Sequence, residues 1–437
     1  MAISLLMAVA GVLIAALLAW VPALHIYNVA GFVVLAAPAL EEVVPPDGLA
    51  MLFLGMVTGY AVLNTIPSVF FSAPDDSTIF IVLPAQKLLL QKRGYEAAVL
   101  SGIGGLGGIV VLALLTPVAS SLFPALRAIL HPHLHWILWA IIAYVLLSEW
   151  PKGSDRAPAG WRRWWDGWKS LVAGLATFLL SGVLGFILLY RSLVPVTVAY
   201  QNLLPAFVGL FATPWIVQNL LSRVELPEQH VARTLDATPG VIVRGTLAGG
   251  LGGLFAAFFP VVTGGIGGLL AGHATAQRDD RLFIISQGAA KVVYYVGALL
   301  FFFVPRLHLT RGGMAWMLSG LWTAHSPQTY TVAVAAVILS GALSFFLLLF
   351  MARIAIKVIG KVTYRSISLA TLVLLLLVVV GTTGWGGLLI CAVATGIGLI
   401  PVLWGSRRMN AMGVLLLPIA LNVSGVGGVV ARWLGLI

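Results

Sequence analysis

The chain has 437 residues, of which 60% are hydrophobic and 9% charged, and its mean hydropathy is +1.04. A soluble domain carries roughly a quarter charged residues, so this composition excludes a soluble protein and predicts an all-α polytopic membrane protein. The net charge of +11 comes from basic residues in short segments between apolar runs. That distribution is typical of cytoplasmic membrane loops and not of a nucleic-acid-binding surface. The single cysteine, Cys391, excludes an internal disulfide and a thiolate metal site.

The first half of the chain alternates apolar runs with proline breaks. The run 3–20 has no basic residues before it, so we expect a retained first span and not a signal peptide. The polar tract from Pro22 to Asn28 separates it from a second apolar run, 29–40. Further apolar segments lie at 48–72, 100–115, 135–150, 170–190 and 192–222. Between them we expect an interfacial or re-entrant element at 79–98 and a tryptophan-rich interfacial loop at 151–169.

The second half contains the stretch 246–295, in which an apolar segment runs into Pro260. Because proline lacks a backbone donor and clashes with the preceding turn, a helix is expected to break there. Thr263, Gly264 and Gly265 follow at once, where the backbone unwinds at little cost. Spans are then expected near 328–352, 367–382, 385–404 and 411–422, which brings the predicted total to roughly ten to twelve, some of half length.

The two breaks suggest an internal repeat. Placing Pro22 over Pro260 aligns two apolar runs, each followed by a polar tract and a second apolar run, which predicts membrane repeats at 1–225 and 226–437. Both halves then carry an aspartate pair ahead of a glycine-containing span. Interrupted hydrophobic segments at corresponding places in two halves are typical of the binding site of a secondary transporter.

Three passages resemble the large membrane subunit, or permease, of the tripartite tricarboxylate transporter family. They are TIPSVFFSAPDDSTIFIVLPAQKLLLQKRGYEAAVLSGIGG (65–105), QRDDRLFIISQGAAKVVYYVGALLFFFVP (277–305) and IGLIPVLWGSRRMNAMGVLLLPIAL (397–421). The breaks VPALHIYN (21–28) and FPVVTGG (259–265) are similar to the family's Pro-Gly motifs, with Ala23 in place of glycine in the first. The second break lacks the family's usual Pro-Gly order.

The resemblance implies a carrier for organic anions with inverted repeats and discontinuous helices that meet near the membrane midplane. Bacterial members work with a small membrane subunit and a periplasmic binding protein. This chain is most similar to archaeal-type members, which implies a stand-alone permease.

Polar residues at the breaks and inside apolar segments are the candidate substrate-binding groups. The start of a half-helix presents free N–H groups and a partial positive charge, which suits an anion. The candidates are His25, Asn28, Thr65, Ser68, Thr263, Gly264, Gly265, Gln287 and Lys291.

Lys291 is the sharpest single candidate, because it lies inside an apolar segment away from any charge cluster. A central charge costs about 2.5–3.5 kcal/mol even on insertion scales, so such residues face a partner or a cavity. Lys291 is interpreted as a counter-charge to an anion or as a proton carrier; the alternative is a structural lysine.

The two aspartate pairs are candidates for binding a coupling ion, either Na⁺ or H⁺. They are Asp75 with Asp76 and Asp279 with Asp280; the flanking Arg278 and Arg281 leave a solvated charged turn as the alternative for the second pair. No other cofactor and no metal site is predicted. The histidines of the HPHLH sequence at 131–135 are interpreted as an interfacial loop.

The predicted function is ion-coupled secondary transport, such as symport, of a small organic anion, a di- or tricarboxylate, by alternating access around the two breaks. The alternative is a flippase for an anionic lipid carrier such as a polyprenyl phosphate. Enzymatic activity is not expected, since the spans lack a catalytic His/Glu metal motif or a Ser/His/Asp set. The predicted location is the inner or plasma membrane; the sequence leaves a homodimer open.

Overall fold

The computed structural model describes residues 1–21, 25–71, 75, 77–149, 160–194, 202–221, 227–232, 234–323, 326–359 and 361–437, without the side chains of Asn28 and Tyr364. These residues form helices and connecting turns and contain no strand. The prediction of an all-α protein is therefore confirmed.

The described helices are named here in chain order. They are α1 (Ala2–Leu18), α2 (Ile26–Leu40), α3 (Pro46–Leu63), α4 (Thr65–Phe70), α5 (Val82–Leu90), α6 (Gly94–Leu130), α7 (Leu134–Leu147), α8 (Trp161–Tyr190), α9 (Leu203–Phe207), α10 (Thr213–Leu221), α11 (Pro239–Phe258), α12 (Gly264–Ala274), α13 (Asp280–Phe303), α14 (Gly312–Ser319), α15 (Pro327–Ile359), α16 (Tyr364–Trp404), α17 (Gly413–Val423) and α18 (Gly427–Trp433).

Eight helical segments of the described chain are long and apolar enough to cross a membrane. They are Pro46–Phe70, Gly94–Leu147, Trp161–Tyr190, Leu203–Leu221, Pro239–Phe258, Asp280–Phe303, Pro327–Ile359 and Arg365–Trp404. A bent pair, Arg408–Val423 with Gly427–Trp433, would be a ninth, and Ala2–Leu18 and Val29–Leu40 are shorter apolar helices. The chain is a multi-pass membrane protein, while the predicted number of ten to twelve spans stays a prediction.

Both proline breaks fall between helices. In the first half α1 ends at Leu18 and α2 begins at Ile26, with Pro22 outside the described residues. In the second half α11 ends at Phe258 and α12 begins at Gly264. Val261 between them has φ +55°, a left-handed conformation that a β-branched residue rarely adopts.

The described chain divides into two compact units. Unit 1 comprises Met1–Arg127 and Asn219–Thr371, and unit 2 comprises Ala128–Gln218 and Leu372–Ile437. Each unit therefore takes segments from both predicted repeats, 1–225 and 226–437, so this division does not test the repeat boundary, which stays a prediction.

Helix α13 lies at the centre of unit 1 and is buried along nearly its whole length. Glycines on its neighbours let backbones approach closely: a Cβ at Gly249 of α11 would overlap the Ser286 carbonyl oxygen, and one at Gly104 of α6 would overlap that of Ile285. Small residues of this kind allow tight helix packing in a membrane, where no hydrophobic force draws helices together. α1 packs along α3 in the same unit.

In unit 2, α8 packs against α17. Glu149 is buried and accepts hydrogen bonds from the backbone N–H of Arg407 and from Asn410 Nδ2. At the start of α8, Trp161, Trp164 and Trp168 stack in series, and the first two are exposed. Such rings favour the membrane interface. The preceding residues, 150–159, of the predicted interfacial loop lie outside the described residues.

Candidate functional site

Three polar residues lie on one face of α13 at intervals of four. Gln287, Lys291 and Tyr295 are each exposed by 2% or less. Residues four apart share a helix face, so the sequence itself places these groups in one row. α13 begins at the Asp279 cap, whose carboxylate accepts from the N–H groups of Arg281 and Leu282. The apolar stretch beyond it places the row deep in unit 1.

The Lys291 ammonium is held by a hydroxyl and not by a carboxylate. Nζ donates to Thr65 Oγ1 at 2.8 Å, and Thr65 Oγ1 lies 3.2 Å from Ser101 Oγ. Within the described residues no carboxylate lies within 4.0 Å of Nζ. Because an ammonium has three N–H donors and this one makes a single recorded hydrogen bond, two donors are available to a ligand.

Gln287 brings an amide to the same face. Neither its Oε1 nor its Nε2 has a hydrogen-bond partner among the described residues. Both atoms lie against α12, since a Cβ added to Gly268 would be 2.7 Å from each. An unpaired buried polar group costs about 1–3 kcal/mol, so an amide in this position is typical of a site that a polar ligand completes.

The start of α12 adjoins Lys291. Thr263 caps this helix by accepting from the Ile266 N–H at 3.5 Å. A Cβ at Gly264 would lie 3.2 Å from Lys291 Cα, so only glycine lets the two backbones approach this closely without adjustment. The buried first turn, which begins with Gly264 and Gly265, therefore places the positive end of a helix dipole beside the lysine.

Asp75 forms a second polar cluster. Its Oδ2 atom accepts from Tyr60 Oη at 2.9 Å, Asn64 Nδ2 at 2.7 Å and Tyr295 Oη at 3.0 Å. Its Oδ1 atom accepts from the backbone N–H and the hydroxyl of Ser77 at 3.0 and 2.8 Å, and from those of Thr78 at 2.9 and 2.8 Å. Donors therefore surround this buried carboxylate, which suits an ionised group.

Ser68 and Thr78 complete the Asp75 cluster. Ser68 Oγ donates to the Asn64 carbonyl oxygen at 2.7 Å and to Thr78 Oγ1 at 3.0 Å. These bonds tie α4 to the segment that carries Asp75.

His25 joins the first break to the Asp75 cluster. It caps α2, with Nδ1 accepting from the Tyr27 backbone N–H at 3.2 Å, and its Nε2 lies 3.0 Å from Tyr295 Oη. Its ring packs against those of Tyr27, Tyr60 and Tyr295, with centroids 4.3, 5.3 and 5.7 Å away. Tyr295 therefore touches both His25 and Asp75.

The predicted site residues divide into three groups. Those brought together around α13 are His25, Thr65, Ser68, Asp75, Thr263, Gly264, Gly265, Gln287 and Lys291. Asn28 belongs to α2, but its side chain and the whole of Asp76 lie outside the described residues. Asp279 and Asp280 lie partly exposed at the start of α13, about 16–18 Å along the helix from Lys291 at 1.5 Å per residue.

The second aspartate pair makes surface contacts. Asp280 forms an ion pair with Lys87, and Asp279 with Arg281. Partial burial acts to raise the pKa of Asp279, but hydrogen bonds from the Arg281 guanidinium and from two backbone N–H groups outweigh it and lower that pKa below its ordinary value. Asp279 therefore stays ionised at neutral pH. Its role as an ion ligand stays a prediction.

Several residues of the cluster were not predicted from the sequence. They are Tyr60, Asn64, Ser77, Thr78, Ser101 and Tyr295. The four-residue spacing from Gln287 through Lys291 was a signal that could have found Tyr295. The other five carry no comparable signal, because single polar residues in apolar spans are common helix-packing groups.

This geometry defines the class of protein: it is an all-helical, multi-pass membrane protein with a buried polar site beside a helix break. The chain belongs to the Tripartite tricarboxylate transporter TctA family, whose model matches residues 5–413. Membership implies a membrane transporter permease, and it confirms the family indicated by the sequence.

The chain is also similar to a relative from Methanocaldococcus jannaschii described as uncharacterized protein MJ1079. The two are 26% identical over 434 residues, which cover 95% of this chain and 98% of the relative. No solved structure matches the chain.

Proposed function

We propose that the protein is an ion-coupled secondary transporter for a small organic anion of the di- or tricarboxylate class. The observation that carries this proposal is the Lys291 ammonium, 2% exposed, with one recorded hydrogen bond and no carboxylate within 4.0 Å in the described chain. A buried cation of this kind is stabilised when an anion binds beside it.

The groups around Lys291 suit a carboxylate. The backbone N–H groups of Gly264 and Gly265 at the start of α12 supply donors and partial positive charge, and the Gln287 amide supplies a neutral hydrogen-bonding group. A carboxylate bound between them would use the two remaining ammonium donors and satisfy the amide. Asp75 is already surrounded by donors, so it does not compete for the ammonium at contact distance.

Alternating access would expose this site to each side of the membrane in turn. Half-helices that meet at a binding site are the usual arrangement in carriers built of repeats. We infer that the backbone breaks before α2 and before α12 provide the hinges, and that the two predicted repeats rock around them. This stand-alone mode, without accessory subunits, is part of the proposal.

The test is uptake into proteoliposomes of radiolabelled citrate, succinate and a polyprenyl phosphate, with imposed Na⁺ or pH gradients. We expect carboxylate uptake by the unmodified protein and a loss of at least about 30-fold in affinity for Lys291→Gln, since truncating a buried charged partner costs 2–5 kcal/mol. Lys87→Gln, which alters an exposed lysine, is the matched control.

Two outcomes would contradict the proposal. Normal transport of every responsive substrate by both Lys291→Gln and Thr263→Ala would show that the anion binds elsewhere. Movement of the polyprenyl phosphate without movement of either carboxylate would assign the lipid-carrier alternative.

A further inference from the structure

The hydrogen bonds of His25 determine where its ring proton lies. The Tyr27 backbone N–H can only donate, so the Nδ1 atom that accepts from it at 3.2 Å carries no proton. In the neutral ring the proton is therefore on Nε2, which lies 3.0 Å from Tyr295 Oη. The histidine has the tautomer that both caps α2 and donates to the tyrosine.

This tautomer fixes the direction of a hydrogen-bonded chain. Tyr295 Oη accepts from His25 Nε2, which leaves its own proton to be donated to Asp75 Oδ2 at 3.0 Å. This series of hydrogen bonds runs from the cap of α2 through Tyr295 of α13 to the buried Asp75 carboxylate, and each donor is paired with the next acceptor.

We propose that His25 carries the coupling proton of transport, and that its protonation at Nδ1 opens the cap of α2. The proposal rests on the proposed function and identifies the coupling ion as H⁺. The incoming proton, taken from water, binds Nδ1 because Nε2 already holds one. A protonated Nδ1 cannot accept a hydrogen bond, so the bond from the Tyr27 N–H breaks and the ring gains one positive charge.

Protonation and anion binding then favour each other. A cationic ring at the start of a helix lies at the positive end of the helix dipole, which is unfavourable by itself. An anion bound nearby offsets that charge and takes up donors released from the cap. Because such a coupling is reciprocal, a bound anion raises proton affinity by the same factor as the proton raises anion affinity, which is the requirement for symport.

Among the described residues, aromatic and charged groups from several elements face His25. They include Tyr27 on its own helix, Tyr60 on α3, Tyr295 on α13 and Asp75; Lys291, one turn before Tyr295, interacts electrostatically with Asp75. Imidazole is the side chain whose unperturbed charge change falls between pH 5 and 8. Desolvation of the His25 ring disfavours its charged form more than the Asp75 charge favours it, so the ring takes up its proton together with the anion.

Asp75 is a less suitable ion carrier than His25. Its carboxylate accepts seven hydrogen bonds from described residues: one each from Tyr60, Asn64 and Tyr295, and two each from Ser77 and Thr78. A Na⁺ ion at this carboxylate would face the hydrogens of those groups instead of oxygen lone pairs. A proton would likewise displace donors that are already satisfied.

Citrate transport in proteoliposomes tests the coupling. With the membrane potential clamped at zero, an inward gradient of one pH unit should drive about tenfold citrate accumulation for one proton per citrate. His25→Asn retains a side chain that caps helices but does not titrate, so whatever citrate movement it supports should not respond to the pH gradient. His230→Asn, at an exposed histidine of the same unit, is the control.

A second measurement tests the protonation of His25 without requiring transport. In nanodiscs, ¹⁵N-histidine NMR, assigned by difference from His25→Asn, should show an unprotonated Nδ1 at high pH that gains a proton as the pH falls. The protection of the Tyr27 amide from hydrogen exchange, expressed relative to its intrinsic exchange rate at each pH, should fall in step in the unmodified protein but not in His25→Asn.

Four results would each overturn the role of His25. They are gradient-driven accumulation by His25→Asn, accumulation driven by Na⁺ alone, a ring protonated on Nδ1 at high pH, and an Nδ1 that gains no proton down to pH 5 with or without citrate. Absence of citrate movement in the unmodified protein would count against the proposed function, and the NMR and exchange data would still decide where the proton binds.

Discussion

The Lys291 ammonium lies 2.8 Å from the Thr65 hydroxyl, 226 residues earlier in the chain. A buried cation supported by a neutral oxygen is less stable than an apolar side chain of similar length. We therefore expect Lys291→Met to raise the free energy of unfolding of the anion-free protein by about 2 kcal/mol. The same variant should lose the thermal stabilisation that citrate gives.

Thermal unfolding in detergent, with and without citrate, checks this prediction, and Lys87→Met serves as the exposed control. A fall in the stability of Lys291→Met without citrate would show that the lysine is a structural residue.

The Asp75 carboxylate organises the packing of its neighbours. Replacement by asparagine would remove one acceptor oxygen and turn an NH₂ group toward existing donors. We expect Asp75→Asn to lower the free energy of unfolding by about 3 kcal/mol or more, because several buried donors lose their partner. The partly exposed Asp166, paired with Lys169 at 2.8 Å, is the control, and Asp166→Asn should cost less than about 1 kcal/mol.

Equal stability of the two aspartate variants, measured by urea or thermal unfolding, would contradict the central structural role assigned to Asp75.

Close packing of α11 on α13 depends on Gly249. An added methyl group would overlap the Ser286 carbonyl oxygen, so Gly249→Ala should cost about 1–3 kcal/mol. Gly240, in the first turn of the same helix, has nothing within 4 Å of a Cβ, so Gly240→Ala should be neutral or stabilising by up to about 1 kcal/mol. Thermal melting of both variants in detergent tests the difference, and a reversed order would show that the helices do not pack as described.

The Asp279 cap is predicted to leave the pH profile of transport unchanged. Its folded pKa lies below the ordinary value because of the Arg281 guanidinium and the backbone N–H groups, despite the opposing effect of partial burial. The cap therefore contributes stability above the unfolded pKa, about 3.8, and this is lost only as the pH falls through the lower folded value. Asp279→Asn should show an unmodified transport profile between pH 5 and 8, whereas a shifted profile would favour its predicted role in ion coupling.

The two aspartate pairs show what the sequence alone can and cannot predict. Both pairs precede glycine-containing spans, so the sequence pattern predicts the same role for both. In the structure Asp75 is buried among donors, whereas Asp279 and Asp280 lie partly exposed in ion pairs. The difference arises from residues 220 positions away, such as Tyr295, and no local pattern records such contacts.

Local physical rules predicted other features well. The apolar composition predicted a helical membrane protein, and the cost of an intramembrane charge identified Lys291, which the structure places 2% exposed beside Thr65. Tyr60 and Asn64 were not predicted as site residues, because a tyrosine and an asparagine in an apolar run do not by themselves indicate which long-range partner they meet.

The chain enters unit 1 twice, first as Met1–Arg127 and again as Asn219–Thr371. Asp75 and Tyr295 share a hydrogen bond but lie 220 residues apart in the sequence. At ordinary rates of translation, the ribosome therefore synthesises Tyr295 about 10–45 s after Asp75. For that interval the nascent chain holds a carboxylate whose α13 donor does not yet exist. Assembly of this site is therefore a late step of membrane insertion. The helices synthesised early cannot complete their packing until α13 has been synthesised and inserted.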